Sequence, residues 1–433
     1  MTDHSFIQFT VSLGCKDAGA CFEVELEYSI DQGASWWPVK ESCLPSDPDC
    51  TEYWPASTLI SDLYTGPSQI NLLVPHRVRS ELTRVRFIQR EGWKQQHSWS
   101  LSHVYIGDEC YNVCSGRGFC DAGHCRCQKG WTGDSCEGPS SPLTKYLVAD
   151  FESEDWNTDW RKVVGGQLTE HCGPIASRQA LHFLGSCSRY LETKDLDLQD
   201  ALFVQFDLRT GCLEAVRGGE AGGDHSVLLQ ASCDAGISWT TLRKLLLIYQ
   251  QPKYVWVLLP KELRCVGGRV RWWQPEVGDR NKYDWAVDGV VVGGSVEPPH
   301  NLTYTHPQHL APPLWLRRYN TRTDTYCDHQ LAMHVMMSTP SEPALVQTTD
   351  LQVSRNHSVN FRLALGCGAT WDNTAQPVRL EYSLDFGQRW RLVRDLCLPG
   401  NNSCVDITDA SIFYAPLTWQ RYVYPLNHIG PAK

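Results

Sequence analysis

The chain has 433 residues and a formal net charge of −10, and its length predicts two to four domains. A hydrophobic fraction of 42% argues against a disordered chain, and no run reaches the roughly 18 apolar residues of a membrane-spanning helix. The acidic excess argues against nucleic acid and against a polybasic membrane anchor, because both need a basic face.

The 19 cysteines indicate disulfides formed in an oxidising compartment. The many aromatic, glycine and proline residues favour strands and turns over helices. The first residues, Met1–His4, carry neither the basic nor the apolar region of a signal peptide. We therefore expect a secreted protein whose leader is missing, or a piece of a longer chain.

One local pattern, S-x-D-x-G-x-x-W, occurs three times, at Ser29–Trp36, Ser232–Trp239 and Ser383–Trp390. Each copy follows an apolar run that predicts a strand. The aspartate can accept backbone N–H groups, the glycine can take a positive φ, and the tryptophan can pack over the turn. Such a turn is an Asp-box, or BNR repeat. Its key positions are Asp31, Gly33, Trp36, Asp234, Gly236, Trp239, Asp385, Gly387 and Trp390.

Further matches extend the repeat around each box. The segment Arg84–Gln89 resembles Arg269–Gln274, and Trp99–Ser102 resembles Trp285–Asp288. On this alignment the middle copy is complete, the first lacks a counterpart of residues 145–195, and the third lacks both of these strand segments. We therefore expect incomplete first and third copies, as in a chain cut inside a repeat at both ends.

A different, cysteine-rich module separates the first two copies. Its cysteines follow C-x3-C-x5-C-x4-C-x-C-x8-C, with Gly130–Gly133 before the last one. This spacing resembles an EGF-like module, a fold too small to be stable without cross-links. The resemblance implies the disulfides Cys110–Cys120, Cys114–Cys125 and Cys127–Cys136.

The order of Asp-box copy, EGF-like module and two further Asp-box copies resembles the reelin family over essentially the whole chain. On that mapping residues 1–108 are a truncated subrepeat A, 109–137 the EGF-like module, 138–298 a subrepeat B, and 299–433 a truncated subrepeat A of the next repeat. The resemblance implies an all-β fold of tandem jelly-roll sandwiches, in agreement with the short predicted strands.

Spacing and equivalence suggest further disulfides. The two C-L-P-x4-C segments predict the local pairs Cys43–Cys50 and Cys397–Cys404, and equivalent positions predict Cys172–Cys212 and Cys327–Cys367. Strand adjacency makes Cys233–Cys265 plausible. Cys15 could bond Cys21, or neither could follow the pattern of the other copies. Cys187 is then left without an assigned partner. Because 19 is an odd number, at least one thiol is free or intermolecular.

Four carboxylates of the middle copy form a candidate calcium site: Asp150, Glu152, Asp284 and Asp288. The first two open the domain and the last two lie near its end. Since the first and last strands of a jelly roll are neighbours, these groups can converge on a cation that prefers six to eight oxygens. The family also binds calcium. The alternative is that they are solvated strand ends.

Zinc-binding repeats also occur in the family, but the histidines show no metal-ligand spacing. Those that could meet an acid in space are His171, His182, His225, His329 and His334.

Three sequons predict N-glycosylation at Asn301, Asn356 and Asn401. A calcium-binding EGF-like module would carry an acid or Asn where this chain has Ile106. We therefore interpret the module as structural.

The resemblance implies a secreted extracellular-matrix signalling glycoprotein that controls neuronal migration by adhesion and receptor binding. Its partners would be lipoprotein receptors, namely the VLDL receptor and apolipoprotein E receptor 2, and neighbouring reelin repeats. A structural spacer with no receptor contact is one alternative. A serine protease or a sialidase-like hydrolase is another, but the boxes lie too far apart for propeller blades and no serine has a catalytic context. We therefore expect no enzyme activity.

Overall fold

The computed structural model describes residues 4–14, 21–40, 57–90, 98–172, 175–212, 225–247, 252–275, 277, 283–294, 298–303, 315–325, 331–335, 344–354, 356–366, 377–394, 410–414 and 417–426. Contacts divide the chain into two compact units. One comprises residues 1–253 and 257–293, and the other comprises 254–256 and 294–433. None of the helices in these ranges is long and apolar enough to cross a bilayer.

The first unit contains two sandwiches and the EGF-like module. The first sandwich consists of β1 (Phe6–Leu13), β2 (Glu23–Ser29), β3 (Trp37–Pro38), β4 (Thr58–Ile60), the 3-10 helix η1 (Ser61–Tyr64), β5 (Ser68–Leu73), η2 (His76–Val78), β6 (Arg84–Ile88) and β7 (Trp99–Gly107). The EGF-like module consists of η3 (Tyr111–Gly116), β8 (Gly118–Asp121), β9 (His124–Cys127), β10 (Trp131–Thr132) and β11 (Gly138–Pro139).

The second sandwich begins at β12 (Leu147–Ala149) and continues through η4 (Trp156–Asp159), β13 (Trp160–Val164), β14 (Gly166–Thr169), β15 (Ala180–Phe183), β16 (Arg189–Thr193), β17 (Leu196–Asp197), β18 (Phe203–Thr210), β19 (Val227–Ser232), β20 (Thr240–Leu245), β21 (Lys253–Leu258), η5 (Lys261–Leu263), β22 (Val266–Gln274) and β23 (Trp285–Gly293).

Two six-stranded antiparallel sheets build this second sandwich. One has the order β14-β15-β23-β18-β21, with β12 also paired to β23, and the other has the order β13-β16-β22-β19-β20, with β17 paired to β22. The first strand therefore lies beside the last, with Leu147 opposite Val292. Every residue of β23 is buried, because this strand runs through the middle of its sheet. Trp272 and Trp285 are fully buried between the sheets.

The first sandwich is smaller. Its described strands form a three-stranded sheet, β5-β1-β7, and a four-stranded sheet in which β3, β4 and β6 all pair with β2. Strand β1 is almost entirely buried, and Phe9 packs edge-on against Phe87 at 4.9 Å. Burying a side chain of this size contributes roughly 1.5–3 kcal/mol. Within the described ranges no strand corresponds to β12–β16 of the second sandwich.

The second unit contains shorter ladders. Its strands are β24 (Trp315–Tyr319), β25 (Thr321–Asp324), β26 (Ala332–Val335), β27 (Leu345–Thr348), β28 (Ser358–Leu365), β29 (Val378–Arg379), β30 (Glu381–Tyr382), β31 (Arg391–Leu392), β32 (Ile412–Phe413) and β33 (Leu417–Pro425). They form five described pairs, β24–β27, β25–β26, β28–β33, β29–β32 and β30–β31. The all-β prediction is thus confirmed.

Candidate functional site

The three Asp-box turns share one hydrogen-bonding pattern. In the second sandwich the Ser232 hydroxyl donates to Asp234 Oδ1 at 2.8 Å and accepts the Gly236 amide at 2.9 Å. Asp234 Oδ1 accepts the Ser238 amide, and Trp239 Nε1 donates to the Gly236 carbonyl at 3.1 Å. Gly236 has a φ of +88°, which favours glycine. The turns at Asp31 and Asp385 repeat these bonds.

The R-V-R strands complete the first two boxes. Arg269 Nη1 donates to the Ala235 carbonyl at 2.6 Å, and the Arg271 guanidinium stacks on Trp239 at 4.1 Å. In the first sandwich Arg86 stacks on Trp36, also at 4.1 Å. The box and the R-V-R strand therefore form one structural element, a link that reading the two motifs separately did not show. The hydrogen bonds named above all lie within this element.

Asp288, a predicted calcium ligand on β23, is fully buried. Its Oδ2 accepts hydrogen bonds from the Ala176 amide at 3.0 Å and the Ser177 amide at 2.7 Å, and its Oδ1 accepts one from the Gly289 amide at 2.6 Å. Burial raises the pKa of Asp288 to about 7, although these hydrogen bonds lower it. A cation beside this carboxyl group would offset the cost of ionising it in a dry site.

Asp150 and Glu152 meet the same short segment that carries Ser177. Ser177 Oγ lies 2.9 Å from Asp288 Oδ2, 3.1 Å from the Asp150 carbonyl oxygen and 3.1 Å from the Gln179 carbonyl oxygen. Glu152 Oε1 accepts the Gln179 amide at 2.6 Å. Several hard oxygens thus surround one hydroxyl, which can donate to only one of them at a time. Hard oxygens are the ligand type that Ca²⁺ prefers.

Asp284 lies apart from these oxygens. It precedes β23, and its Oδ2 is 2.6 Å from His182 Nε2 and accepts the Cys212 amide at 2.9 Å. Four residues of a strand span roughly 13 Å, whereas calcium ligands lie about 2.3–2.6 Å from the ion. Asp150, Glu152 and Asp288 therefore all contact the segment 177–179, but their carboxylates form no group of three ligand atoms within 4.8 Å among the described residues, and Asp284 lies outside this segment.

Six disulfides lie within the described residues: Cys21–Cys187, Cys110–Cys120, Cys114–Cys125, Cys127–Cys136, Cys172–Cys212 and Cys233–Cys265. The alternative pairing of Cys15 with Cys21 is wrong, because Cys21 bonds Cys187 across 166 residues. No spacing signal could have found this bond, since its two cysteines lie in different sandwiches. The predicted pairs Cys43–Cys50, Cys327–Cys367 and Cys397–Cys404 lie outside the described residues, as does Cys15.

The Cys21–Cys187 disulfide belongs to a joint between the first two sandwiches. Beside it, the Ser188 hydroxyl donates to Asp62 Oδ1 at 2.8 Å. Lys162 Nζ lies over the rings of Tyr64, from the first sandwich, and Tyr190, from the second, at 4.5 and 5.7 Å. Burial lowers the pKa of Lys162 to about 8. The disulfide and these two polar contacts therefore help to connect the two sandwiches.

The EGF-like module contacts both sandwiches. Gln8 Nε2 donates to the Gly118 carbonyl at 2.9 Å, and Gln8 Oε1 accepts the Cys120 amide at 2.8 Å. Phe6 from the first sandwich and Ile237 from the second pack into one cluster with the buried cysteines of the module. The EGF-like module therefore lies between the two sandwiches, and residues of all three domains share one apolar cluster.

Arg117 fixes the module to the second sandwich. This buried side chain stacks on Trp131 at 4.0 Å, hydrogen-bonds the Gly267 carbonyl and lies 3.5 Å from Asp195 Oδ1. Asp195 also pairs with Arg269 at 2.7 Å. A Cβ at Gly267, where φ is +77°, would lie 2.5 Å from Arg117 Nη2. Glycine is therefore required for this close approach.

The remaining predicted site residues are dispersed. His171 is exposed, His225 packs against Tyr283 at 3.8 Å, and His334 is partly buried on β26. His182 meets the carboxylate of Asp284 in an ion pair. The sequon residues Asn301 and Asn356 are exposed, as glycosylation requires. His329 and Asn401 lie outside the described residues.

Comparisons with known proteins identify the repeat. The family model described as Reelin subrepeat B matches residues 1–107, 165–293 and 320–429, and a Teneurin-like EGF domain matches residues 110–139. One model matches all three copies, so the comparison does not distinguish subrepeat A from subrepeat B.

Several solved carbohydrate-binding modules show a weak structural likeness. CBM27-1 of Caldicellulosiruptor saccharolyticus, in complex with mannohexaose, has 13% identity and a TM-score of 0.23 over 34% of this chain and 96% of that one. CBM29_1 from Piromyces equi has 8% identity and a TM-score of 0.24 over 35% and 91%. The CBM22-1–CBM22-2 tandem of Paenibacillus barcinonensis Xyn10C has 11% and 0.24 over 67% and 78%. These TM-scores carry no inference.

Proposed function

The chain belongs to the reelin family of repeat proteins, and on that premise we propose that it is a segment of a secreted extracellular-matrix signalling glycoprotein. It acts by binding lipoprotein receptors, the VLDL receptor and apolipoprotein E receptor 2, and so controls neuronal migration. The joint between the first two sandwiches is the observation that supports a binding and spacing role. Family membership and the EGF-like module support an extracellular location.

The joint matters because rigid spacing raises the effective concentration of a second binding surface once the first is bound. The Cys21–Cys187 disulfide and the buried Arg117 both oppose hinge motion within the first unit. Such a scaffold suits a protein that holds receptors, or neighbouring repeats, at a set distance. A segment that only spaces other repeats would use the same joint, so binding data must separate the two roles.

The described residues offer little to a hydrolase. Ser354 Oγ lies 2.7 Å from His357 Nδ1, but His357 Nε2 lies 2.8 Å from the His300 carbonyl oxygen rather than a carboxylate. In a serine hydrolase an acid orients the histidine. Among the described residues, no serine hydrogen-bonds the buried His182–Asp284 pair. These arrangements support a non-catalytic role.

We also propose that Ca²⁺ binds at the end of β12 and stabilises the second sandwich. Asp288, Glu152 and the carbonyl oxygens of Asp150 and Gln179 would hold it. The ion would tie the first strand to the last, since Asp150 follows β12 and Asp288 lies on β23. At a free concentration one hundred times its Kd, a ligand stabilises the folded state by about 2.7 kcal/mol.

Surface plasmon resonance on the full chain tests receptor binding, and thermal unfolding of the same chain tests stabilisation by Ca²⁺. The two receptor ectodomains are immobilised and binding is measured in Ca²⁺ and in EDTA, with Asp288→Asn and Asp284→Asn as matched variants. Because EDTA also affects the receptors, the variants distinguish loss of calcium from this chain. We expect saturable binding to the receptors, and in thermal unfolding we expect Ca²⁺ to stabilise the chain, an effect that Asp288→Asn weakens more than Asp284→Asn. If neither receptor binds saturably, the spacer role is favoured. If a phosphonate probe labels a serine stoichiometrically, the hydrolase alternative is favoured instead.

A further inference from the structure

Strand β7 of the first sandwich has an open edge that its counterpart in the second sandwich lacks. The segment Trp99–Gly107 of β7 aligns residue by residue with Trp285–Gly293 of β23. In the second sandwich β23 lies between β18 on one side and β12 and β15 on the other. Among the described strands β7 pairs with β1 alone, and β1 is the counterpart of β18. One edge of β7 is therefore open where β12 and β15 cover β23.

Two apolar side chains at this edge are exposed in the first sandwich and buried in the second. Val104 is 47% exposed and Ile106 is 41% exposed. Their counterparts on β23, Val290 and Val292, are fully buried and pair with β12. A long edge strand with apolar side chains and unpaired backbone groups is a template for another strand. The edge of β7 is thus a surface at which a further strand can pair.

The opposite edge of the same sheet provides an internal comparison. Strand β5 is the counterpart of β21, and both lie at the edge of their described sheets. Leu73 on β5 and Leu258 on β21 occupy equivalent positions, and each is 50% exposed. This edge is therefore open in both sandwiches, whereas the edge at β7 is open only in the first. The repeat itself identifies β7 as a strand that lacks neighbours.

Strand β6, in the other sheet of the first sandwich, also lacks a neighbour. In the second sandwich its counterpart β22 pairs with β19 on one side and with β16 and β17 on the other, whereas β6 pairs, among the described strands, with β2, the counterpart of β19. Val85 and Phe87 on β6 are only partly buried, while the equivalent Val270 and Trp272 are fully buried. Both sheets of the first sandwich are therefore open on the same side of the repeat.

Residues 315–348 contain counterparts of the strands that the first sandwich lacks. Trp315 pairs with Thr348 across β24 and β27, in the register in which Trp160 pairs with Thr193 across β13 and β16. Strand β25 pairs with β26 as β14 pairs with β15. Each of these ladders has two described strands, whereas in the second sandwich β15 continues to β23 and β16 to β22. The edges of β26 and β27 therefore match the open edges of β7 and β6.

We propose that the chain self-associates by strand complementation, in which residues 315–348 of one copy complete the first sandwich of a second copy. Strand β26 pairs with β7 of the second copy as β15 pairs with β23, and β27 pairs with β6 as β16 pairs with β22. Backbone hydrogen bonds at the strand edges hold the two copies together, and the side chains that the contact covers set the register. Val335 on β26 is 40% exposed, whereas its counterpart Phe183 is fully buried. Because donor and acceptor are different surfaces, the contact is heterologous.

Sedimentation velocity of the full chain at increasing concentration tests the proposal. We expect the native chain to self-associate reversibly. Ile106→Lys in the acceptor and Val335→Lys in the donor should each weaken association about tenfold or more, because a charged side chain opposes pairing at a strand edge. The matched control, Leu73→Lys, lies at the edge that is open in both sandwiches and should associate as the native chain does. A native chain that stays monomeric, or equal weakening by all three variants, overturns the proposal.

Mixing the two weakened variants distinguishes this contact from pairing of β7 with β7 of another copy. The Ile106→Lys chain keeps an intact donor segment, and the Val335→Lys chain keeps an intact acceptor sandwich. An equimolar mixture should therefore recover association and stop at a 1:1 dimer in light scattering, because each chain retains one working half. A mixture that associates no more than either variant alone overturns the proposal.

Hydrogen exchange on the native chain gives a readout that does not depend on the folding of any variant. Between low and high protein concentration, peptides from β7 and β26 should gain protection, while peptides from β5 should not. Unchanged protection at β7 and β26 in the associated chain, or an equal gain at β5, would show that the copies associate through another surface and overturns the proposal.

Discussion

Replacing Arg269 by methionine tests whether the R-V-R strand and the Asp-box act as one element. Arg269 is 3% exposed, pairs with Asp195 at 2.7 Å and Glu192 at 3.3 Å, and donates to the Ala235 carbonyl. Methionine keeps much of the volume but leaves two carboxylates with fewer partners. Removing one member of a buried ion pair costs about 3–5 kcal/mol.

The matched control is Arg84→Met in the first sandwich. Arg84 has the equivalent position and donates to the Gln32 carbonyl, but it is exposed and forms no ion pair with a carboxylate among the described residues. A single neutral hydrogen bond contributes about 0.5–1.5 kcal/mol, and less at an exposed site. We therefore expect Arg269→Met to cost several times more than Arg84→Met.

Hydrogen exchange provides the assay, because it reports each sandwich separately. Peptides from β19 and β22 should lose protection in Arg269→Met, while peptides from β2 and β6 keep it. A double-mutant cycle with Asp195→Asn should give a coupling energy of about 0.5–3 kcal/mol. Equal costs for Arg269→Met and Arg84→Met, or an additive cycle, would refute the reasoning.

Three further predictions concern the joint and the second unit. Burial lowers the pKa of Lys162 to about 8 from 10.5, so the folded state binds this proton more weakly than the unfolded state. The free energy of unfolding from denaturant titrations should therefore rise from pH 8 to pH 10. Lys162→Met should remove that pH dependence. Burial raises the pKa of Asp350 to about 6 from 3.8, so the folded state holds this proton more tightly than the unfolded state. The hydrogen-exchange protection factors of β27 should therefore fall as pH rises from 4 to 6 in the native chain but not in Asp350→Asn. Replacing Cys21 and Cys187 by serine should cost about 2–5 kcal/mol and speed proteolysis between the first sandwich and the EGF-like module; unchanged unfolding and cleavage would contradict a joint that depends on this disulfide.

The sequence predicted those features that depend on neighbours along the chain. The apolar runs before each Asp-box form strands, and the turns at Asp31, Asp234 and Asp385 repeat one set of bonds, because serine, aspartate, glycine and tryptophan meet within eight residues. The neighbouring first and last strands of the second sandwich followed from the jelly-roll topology.

The candidate site was predicted only in part. Asp150 and Asp288 meet at Ser177 because β12 and β23 are adjacent strands. Asp284 was grouped with Asp288 because the two are close in sequence, but an extended strand separates residues four positions apart by too much for one ion. Its partner His182 lies 102 residues away and carried no spacing signal.

By itself the amino-acid sequence determined the strands, the box turns, the EGF-like module and the family, since each depends on short-range spacing or on internal repetition. Only the tertiary structure decided that Cys21 bonds Cys187, that Arg117 reaches Asp195, and that His182 meets Asp284 beside a disulfide. These contacts form when separate domains or distant strands pack together. Packing of that kind is set by complementary surfaces, which leave no periodic pattern along the chain.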